Sequence, residues 1–149
     1  MKVVIQIVEE ASVSVEGKEV AKIGNGYLLL VGIEKGDTKE DIIQAANKIY
    51  NMRINKDEND KTNLAIKDVK GEILSISQFT LLADLSSRRP SFINAASADI
   101  ASELYDAFNL ELEKLGLVVK KGVFGAYMKV NLVNDGPFTI VYNSKELNK

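Results

Sequence analysis

The chain has no cysteine, no histidine, no tryptophan and only two prolines in 149 residues. Without cysteine there is no disulfide and no thiolate chemistry. Without histidine as well, Ser-His-Asp and Cys-His nucleophilic sites are excluded. So is every zinc site built on His or Cys. A carboxylate-rich calcium loop needs a placed glycine and a closing glutamate. Asp57, Glu58 and Asp60 sit in INKDENDKT, residues 54–62, which has neither and reads as a solvated turn. No metal and no cofactor are expected. Long apolar runs are missing too. The longest, Tyr27 to Val31, is too short to span a membrane, and the run after Met1 is too short for a signal peptide. A cytoplasmic protein with no membrane partner is expected.

What is present is the mixture of an ordinary globular protein, 46% apolar and 27% charged. The length suits one domain over residues 1–149. The net charge is −2, so a nucleic acid would have to be met by a local basic patch. Lys120-Lys121, Arg88-Arg89, Lys56, Lys61 and Lys67 are the candidates, and each taken singly reads as part of a solvated face.

Taken in order, Lys2 to Val8 reads as a strand covered on both faces and broken by Glu9-Glu10. Residues 11–15 and 19–23 read as a hairpin turning at Glu16-Gly17. Tyr27 to Ile33 is a strongly apolar strand. Thr38 and Asp41 form a capping-box pattern ahead of Ile42, Ile43, Ala46, Ile49 and Met52 at helical spacing. Residues 72–78 form another strand. A second helix follows Ser97, with Ile100, Leu104, Phe108, Leu112 and Leu115 as its apolar face and Gly116 as its stop. Residues 117–121 and 126–133 read as strands, and 138–142 as the last one. Residues 143–149 read as a frayed tail. The expected class is α+β: a mostly antiparallel, barrel-like sheet carrying two helices.

Two stretches hold the chemistry. Ser77-Gln78-Phe79-Thr80 lies at a strand end, where hydroxyls, an amide and unpaired backbone N–H groups meet. Alone it is weak evidence, since serine and threonine without a base usually cap or satisfy neighbours. Asn134-Asp135-Gly136-Pro137-Phe138-Thr139 joins two apolar runs, and a plain hairpin loop would account for it. These two stretches come with Arg89-Pro90-Ser91-Phe92, Phe124-Gly125-Ala126, Ala11-Ser12-Val13 and Leu30-Val31-Gly32-Ile33, in one order and at one set of spacings. In this the chain resembles the D-aminoacyl-tRNA deacylases, also called D-tyrosyl-tRNA deacylases. The resemblance runs from Met1 to about Tyr142.

The resemblance implies a homodimer with two sites at the subunit interface, acting on the acceptor end of aminoacyl-tRNA. Ser77, Gln78, Phe79 and Thr80 of one subunit would meet Gly136 and Pro137 of the other, with the Gly136–Pro137 peptide bond cis. The Gly136-Pro137 carbonyls would hold the α-amino group and exclude an L side chain. The reaction implied is hydrolysis of D-aminoacyl-tRNA, and of glycine mischarged on tRNA(Ala). Backbone N–H groups near Phe79 and Thr80 would form the oxyanion hole, and the RNA 2′-hydroxyl would assist the water. Phe79, Phe124 and Met128 would wall the pocket, although by pattern alone each reads equally well as core. The chain departs from the family pattern at Ile7, where arginine is usual, and at Tyr127, often aspartate. It departs also at Leu85-Ser86-Ser87-Arg88, Asn55 and Thr62. The alternative reading is a binding module of the same fold that holds aminoacyl-tRNA or nucleotide ends without turnover.

Overall fold

A computed structural model describes residues 1–146. Strand β1 (Lys2–Val15) is the longest-range organiser of the sheet. Its first half pairs antiparallel with β3 (Gly26–Gly32) and its second half with β2 (Lys18–Ile23). Along its other edge it pairs with the C-terminal strand, which is described with the site. Parallel pairing then adds β6 (Glu72–Ser77) to β3, and β7 (Val119–Lys121) to β6. The sheet is therefore mixed, with three antiparallel pairings around β1 and two parallel ones beyond β3. The reason is the pair of helices: α1 (Lys39–Asn51) lies between β3 and β6, and α2 (Ala98–Lys114) between β6 and β7. A helical crossover returns the chain to the end it left, so the next strand runs parallel. The sheet curls until β2 comes back beside β6 and β7, which leaves it nearly closed.

Two cores result. On β3, Tyr27, Leu29 and Val31 face the helices while Leu28 faces the inside of the curled sheet. Glu9-Glu10 does not break β1; the strand bulges there instead. Because side chains alternate, one extra residue moves the remainder of a strand to the other face. Thus Val3 and Ile5 face the helices and Val8, by alternation, the inner core, and the extra residue then brings Ala11 and Val13 to the inner core as well.

The α1 capping box forms as expected: Asp41 N–H donates to Thr38 Oγ1 (3.3 Å) and Thr38 N–H to Asp41 Oδ2 (2.8 Å). Its buried stripe is Ile42, Ala45, Ala46 and Ile49, whereas Ile43 is 37% exposed. On α2 the stripe is Ala101, Tyr105, Phe108, Asn109 and Leu112, and Ile100 is 53% exposed. A stripe at spacings of three and four leaves no room for the adjacent isoleucine in either helix. Ser97 is the N-cap of α2, but its side chain makes no capping hydrogen bond.

The polar stretch after α1 is a small hairpin of β4 (Asn55–Lys56) and β5 (Thr62–Leu64). Asp57 accepts from the N–H groups of Lys61 and Asn59 and from the Asn63 amide. Those donors, Lys61 first, hold its carboxyl below the usual range. Its oxygens thus close a turn. Asn143 and Ser144 are not frayed: Ser144 N–H donates to Met1 C=O, and its buried Oγ accepts from the Met1 ammonium at 2.6 Å. That ammonium also pairs with Asp37 at 2.8 Å. Residues 147–149 of the expected tail lie outside the described residues.

Tyr27 is wholly buried, and Asn55 Nδ2 donates to its hydroxyl oxygen at 2.8 Å. Burial pushes its pKa up to about 12, against the smaller pull of Asn55. Below pH 10 the hydroxyl is protonated in both folded and unfolded chains. Between about pH 10 and 12 the unfolded chain ionises first, so stability falls as pH rises. Denaturant titrations should show an alkaline loss smaller in Tyr27→Phe than in the parent by about 2–3 kcal/mol. Equal losses in the two proteins would refute this assignment.

Candidate functional site

Ser77 ends β6, paired with Val31, and Gln78 N–H still donates to Val31 C=O at 2.8 Å. The chain then leaves the sheet as a 3-10 turn over Phe79–Leu82. N–H groups that begin a helical turn have no partner within it, and here they belong to Phe79 and Thr80. The Gln78 amide donates to Thr80 Oγ1, occupying one of that oxygen's lone pairs. Phe79 is 55% exposed and meets Phe92 edge to face, with centroids 5.1 Å apart.

Beside this turn lies a cavity of about 560 Å³. Val31, Ile33 and Ile76 form its floor, and Ser77, Gln78, Phe79 and Phe92 one wall. Phe124, Tyr127 and Met128 add a further part of the lining. Ala95, Ala96, Ala98 and Ala101 line the side toward α2, where larger side chains would fill the space. Thr80 belongs to the same turn but does not line the cavity.

The Phe124 wall is held from behind. Tyr105, buried on α2, packs its ring against Phe124 at 5.9 Å and donates its hydroxyl to Ser75 C=O at 2.8 Å. The same carbonyl accepts the Gly122 N–H at 3.2 Å. One oxygen on β6 thus ties α2 and the segment that carries Phe124. Burial is the main cause raising the Tyr105 pKa, so the hydroxyl keeps its proton to donate. A Cβ at Gly122 would stand 2.6 Å from Met128 Sδ, so a side chain there would displace the flexible Met128 that lines the cavity. Sequence reasoning does not single out Tyr105; its one signal is an aromatic ring within the apolar stripe of α2.

Gly136 and Pro137 do not line this cavity. They are not in a hairpin loop either. The apolar runs on either side form one strand, β8 (Lys129–Asn143), paired with β1 from Lys2↔Asn143 to Ser14↔Lys129. Gln6 pairs with Thr139 and Val8 with Asn134, so residues 135–138 face Ile7 alone and bulge outward. The first and last residues of the motif close the bulge. Phe138 N–H donates to Asn134 Oδ1 (3.0 Å), and Asn134 Nδ2 to Thr139 Oγ1 (2.9 Å). Gln6 Nε2 reaches the same oxygen from β1 at 3.3 Å. Gly136 has φ +145°, and a Cβ there would lie 2.7 Å from Phe138 N. The Gly136–Pro137 peptide bond is cis, and both residues are exposed. Ile7 packs against the helix-facing core.

Within one chain, then, Ser77, Gln78, Phe79, Phe124 and Met128 come together, Thr80 stands beside them, and Gly136-Pro137 is held apart on the bulge. A family model described as D-Tyr-tRNA(Tyr) deacylase matches residues 4–143. The chain belongs to this family. A D-aminoacyl-tRNA deacylase of Lactobacillus delbrueckii subsp. bulgaricus is 56% identical over 142 residues, 95% of this chain and 98% of that protein. One from Bacillus cytotoxicus is 55% identical over 146 residues, 97% and 100% of the two chains. Among solved structures, the c-Myc DNA Unwinding Element Binding Protein superposes with a TM-score of 0.92 at 39% identity, covering 96% of this chain and 98% of its own. A probable eukaryotic D-amino acid tRNA deacylase superposes with a TM-score of 0.81 at 17% identity, covering 95% and 97%, and shares the fold. No group of His, Cys, Asp or Glu suited to a metal ion occurs among the described residues, and no helix there is long and apolar enough to cross a membrane.

The bulge closure can be tested in solution. Asn134→Ala removes the acceptor of the Phe138 N–H, so amide exchange at Phe138 should speed up about tenfold, the worth of one such bond. Unchanged exchange would show that Asn134 does not hold the bulge.

Proposed function

We propose that this protein hydrolyses the ester of D-aminoacyl-tRNA, releasing the free amino acid and tRNA. The observation that carries the reading is the full-length relationship to D-aminoacyl-tRNA deacylases, with Ser77-Gln78-Phe79-Thr80 at the edge of an apolar cavity. A cavity of about 560 Å³ is within the range that receives small ligands, here an aminoacylated adenosine end. The working unit is a homodimer in the cytoplasm. The exposed Gly136-Pro137 bulge of a second copy closes each cavity, and its carbonyl oxygens take the α-ammonium group. An L side chain then meets the bulge, while a D side chain points away and glycine has none, so glycyl-tRNA(Ala) is also a substrate. Selectivity by obstruction of the wrong isomer needs no special contact to the right one.

The chemistry needs no side-chain base. Water adds to the ester carbonyl, and the negative charge that develops on its oxygen is met by the Phe79 and Thr80 N–H groups. Preorganised donors of this kind are worth about 10²–10³ in rate each. The C–O bond then breaks, and the ribose oxygen leaves as a hydroxyl by taking up the proton that the attacking water releases. The adjacent 2′-hydroxyl orients the water, a matter of positioning. Thr80 Oγ1 already accepts from Gln78, which supports a positioning role over attack by Thr80 itself. Phe79, Phe124 and Met128 wall the aminoacyl-adenosine end.

A second reading, a binding module without turnover, draws on Ile7 opposite the bulge and on the solved relative named for binding a DNA element. Single-turnover hydrolysis of matched D-aminoacyl-, L-aminoacyl- and glycyl-tRNA separates the two. The D and glycyl esters should disappear while the L ester survives. Loss of all three would mean that the bulge does not discriminate, and survival of all three would leave the binding module. Thr80→Ala should retain measurable hydrolysis of the D ester; complete loss in a folded protein would make Thr80 the nucleophile.

A further inference from the structure

The curled sheet has one seam, between the outer edges of β2 and β7. Lys120 Nζ crosses it to donate to Lys22 C=O at 2.8 Å. The seam opens into a cleft of about 490 Å³ whose lining includes Lys22, Lys120, Lys121 and Glu19. All three lysines are exposed, and none is paired with a carboxylate among the described residues. Three cations against one acid leave the cleft positive on a chain whose net charge is −2. Such a patch stands out from the mean surface and attracts polyanions.

Its position gives it a use. Lys121 immediately precedes Gly122, and Phe124, on the cavity wall, comes two residues later. Three residues of extended chain reach about 10 Å at most, so Lys121 lies within that distance of the cavity wall, and Lys120 and Lys22 continue from it across the seam. An RNA whose terminal adenosine occupies the cavity must lead its phosphates out over a rim. Lysine is suited to this, since an ammonium on a flexible stem meets phosphate without reading sequence. That suits an enzyme acting on many different tRNAs. Building on the deacylase reading, we infer that Lys22, Lys120 and Lys121 form a phosphate track for the backbone of the tRNA acceptor arm.

The test uses uncharged tRNA as the probe, so it does not depend on hydrolysis. Lys120 bridges the seam, so Lys22→Gln/Lys121→Gln is the primary variant; it keeps that hydrogen bond and removes two charges. Dissociation constants are measured across a salt series for the parent, this double variant and the triple variant with Lys120→Gln, with thermal melts to show that each is folded. The double variant should bind about tenfold more weakly at low salt, and its log–log salt slope should be shallower by about two, close to one for each lysine–phosphate pair removed. Unchanged affinity and slope in the double variant would overturn the track. So would weaker binding with the parent slope, which would place the effect elsewhere, and so would a parent that does not bind tRNA. Failure of the deacylase reading shows separately, as a parent that binds tRNA with the full slope and leaves every ester intact.

Discussion

The pairing of β1 with β8 is the constraint on which the rest depends. The two strands lie side by side from Lys2↔Asn143 to Ser14↔Lys129, with seven β1 residues, Lys2 to Val8, also paired on their other side with β3. A strand held on both edges cannot shift to absorb extra length in its neighbour. The surplus of β8 is therefore expelled at one place, opposite Ile7, and the outward bulge that carries Gly136-Pro137 is the result. The second irregularity, at Glu9, has the complementary effect on β1 and lets the sheet curl with its apolar residues still inward. Closure of the sheet and display of the motif are consequences of one ladder.

The cavity depends on a different kind of support. Its floor is β3 and β6, rigid and buried on both faces. Its walls come from segments outside the sheet, and each is pinned by a small number of contacts: Phe79 on Phe92, Phe124 on Tyr105, Gly122 on the Ser75 carbonyl. This gives a stiff base with walls whose positions are set by single hydrogen bonds and ring contacts. Such sites combine a preformed shape with freedom to vary the rim.

Local patterns in the sequence are legible where local physics decides the outcome. The capping box at Thr38 and Asp41, the turn at Glu16-Gly17 and the β3 strand are of this kind. The places where sequence and structure differ share a cause. Gly-Pro is a turn signal when only neighbours in sequence are considered, yet β1 lies alongside and holds both flanks in one strand. Glu9-Glu10 has the polarity of a break, but a bulge where β1 passes from β3 to β2 leaves both acids exposed without ending the strand. Parallel pairing arises from helical crossovers that strand composition does not encode. Ile43 and Ile100 read as core because they are apolar, while helical phase puts Ala45 and Ala101 there. Of the site, the two motifs are legible as residues, while their separation within one chain is legible only through the family resemblance and not from the residues themselves.

The knot behind the cavity is tied at a main-chain oxygen. Tyr105 and Gly122 both donate to the carbonyl of residue 75, not to its side chain. That acceptor is supplied by the peptide unit whatever amino acid the gene specifies there, subject to the size limit of a wholly buried position. Genetic drift at position 75 thus leaves the anchor in place; the Gly122 donor is main-chain too, so the side chain on which the knot depends is that of Tyr105. The walls of the pocket are in this sense buffered against mutation at the strand that carries them, while a change at Tyr105, remote in sequence from either motif, removes both the hydrogen bond and the ring behind Phe124.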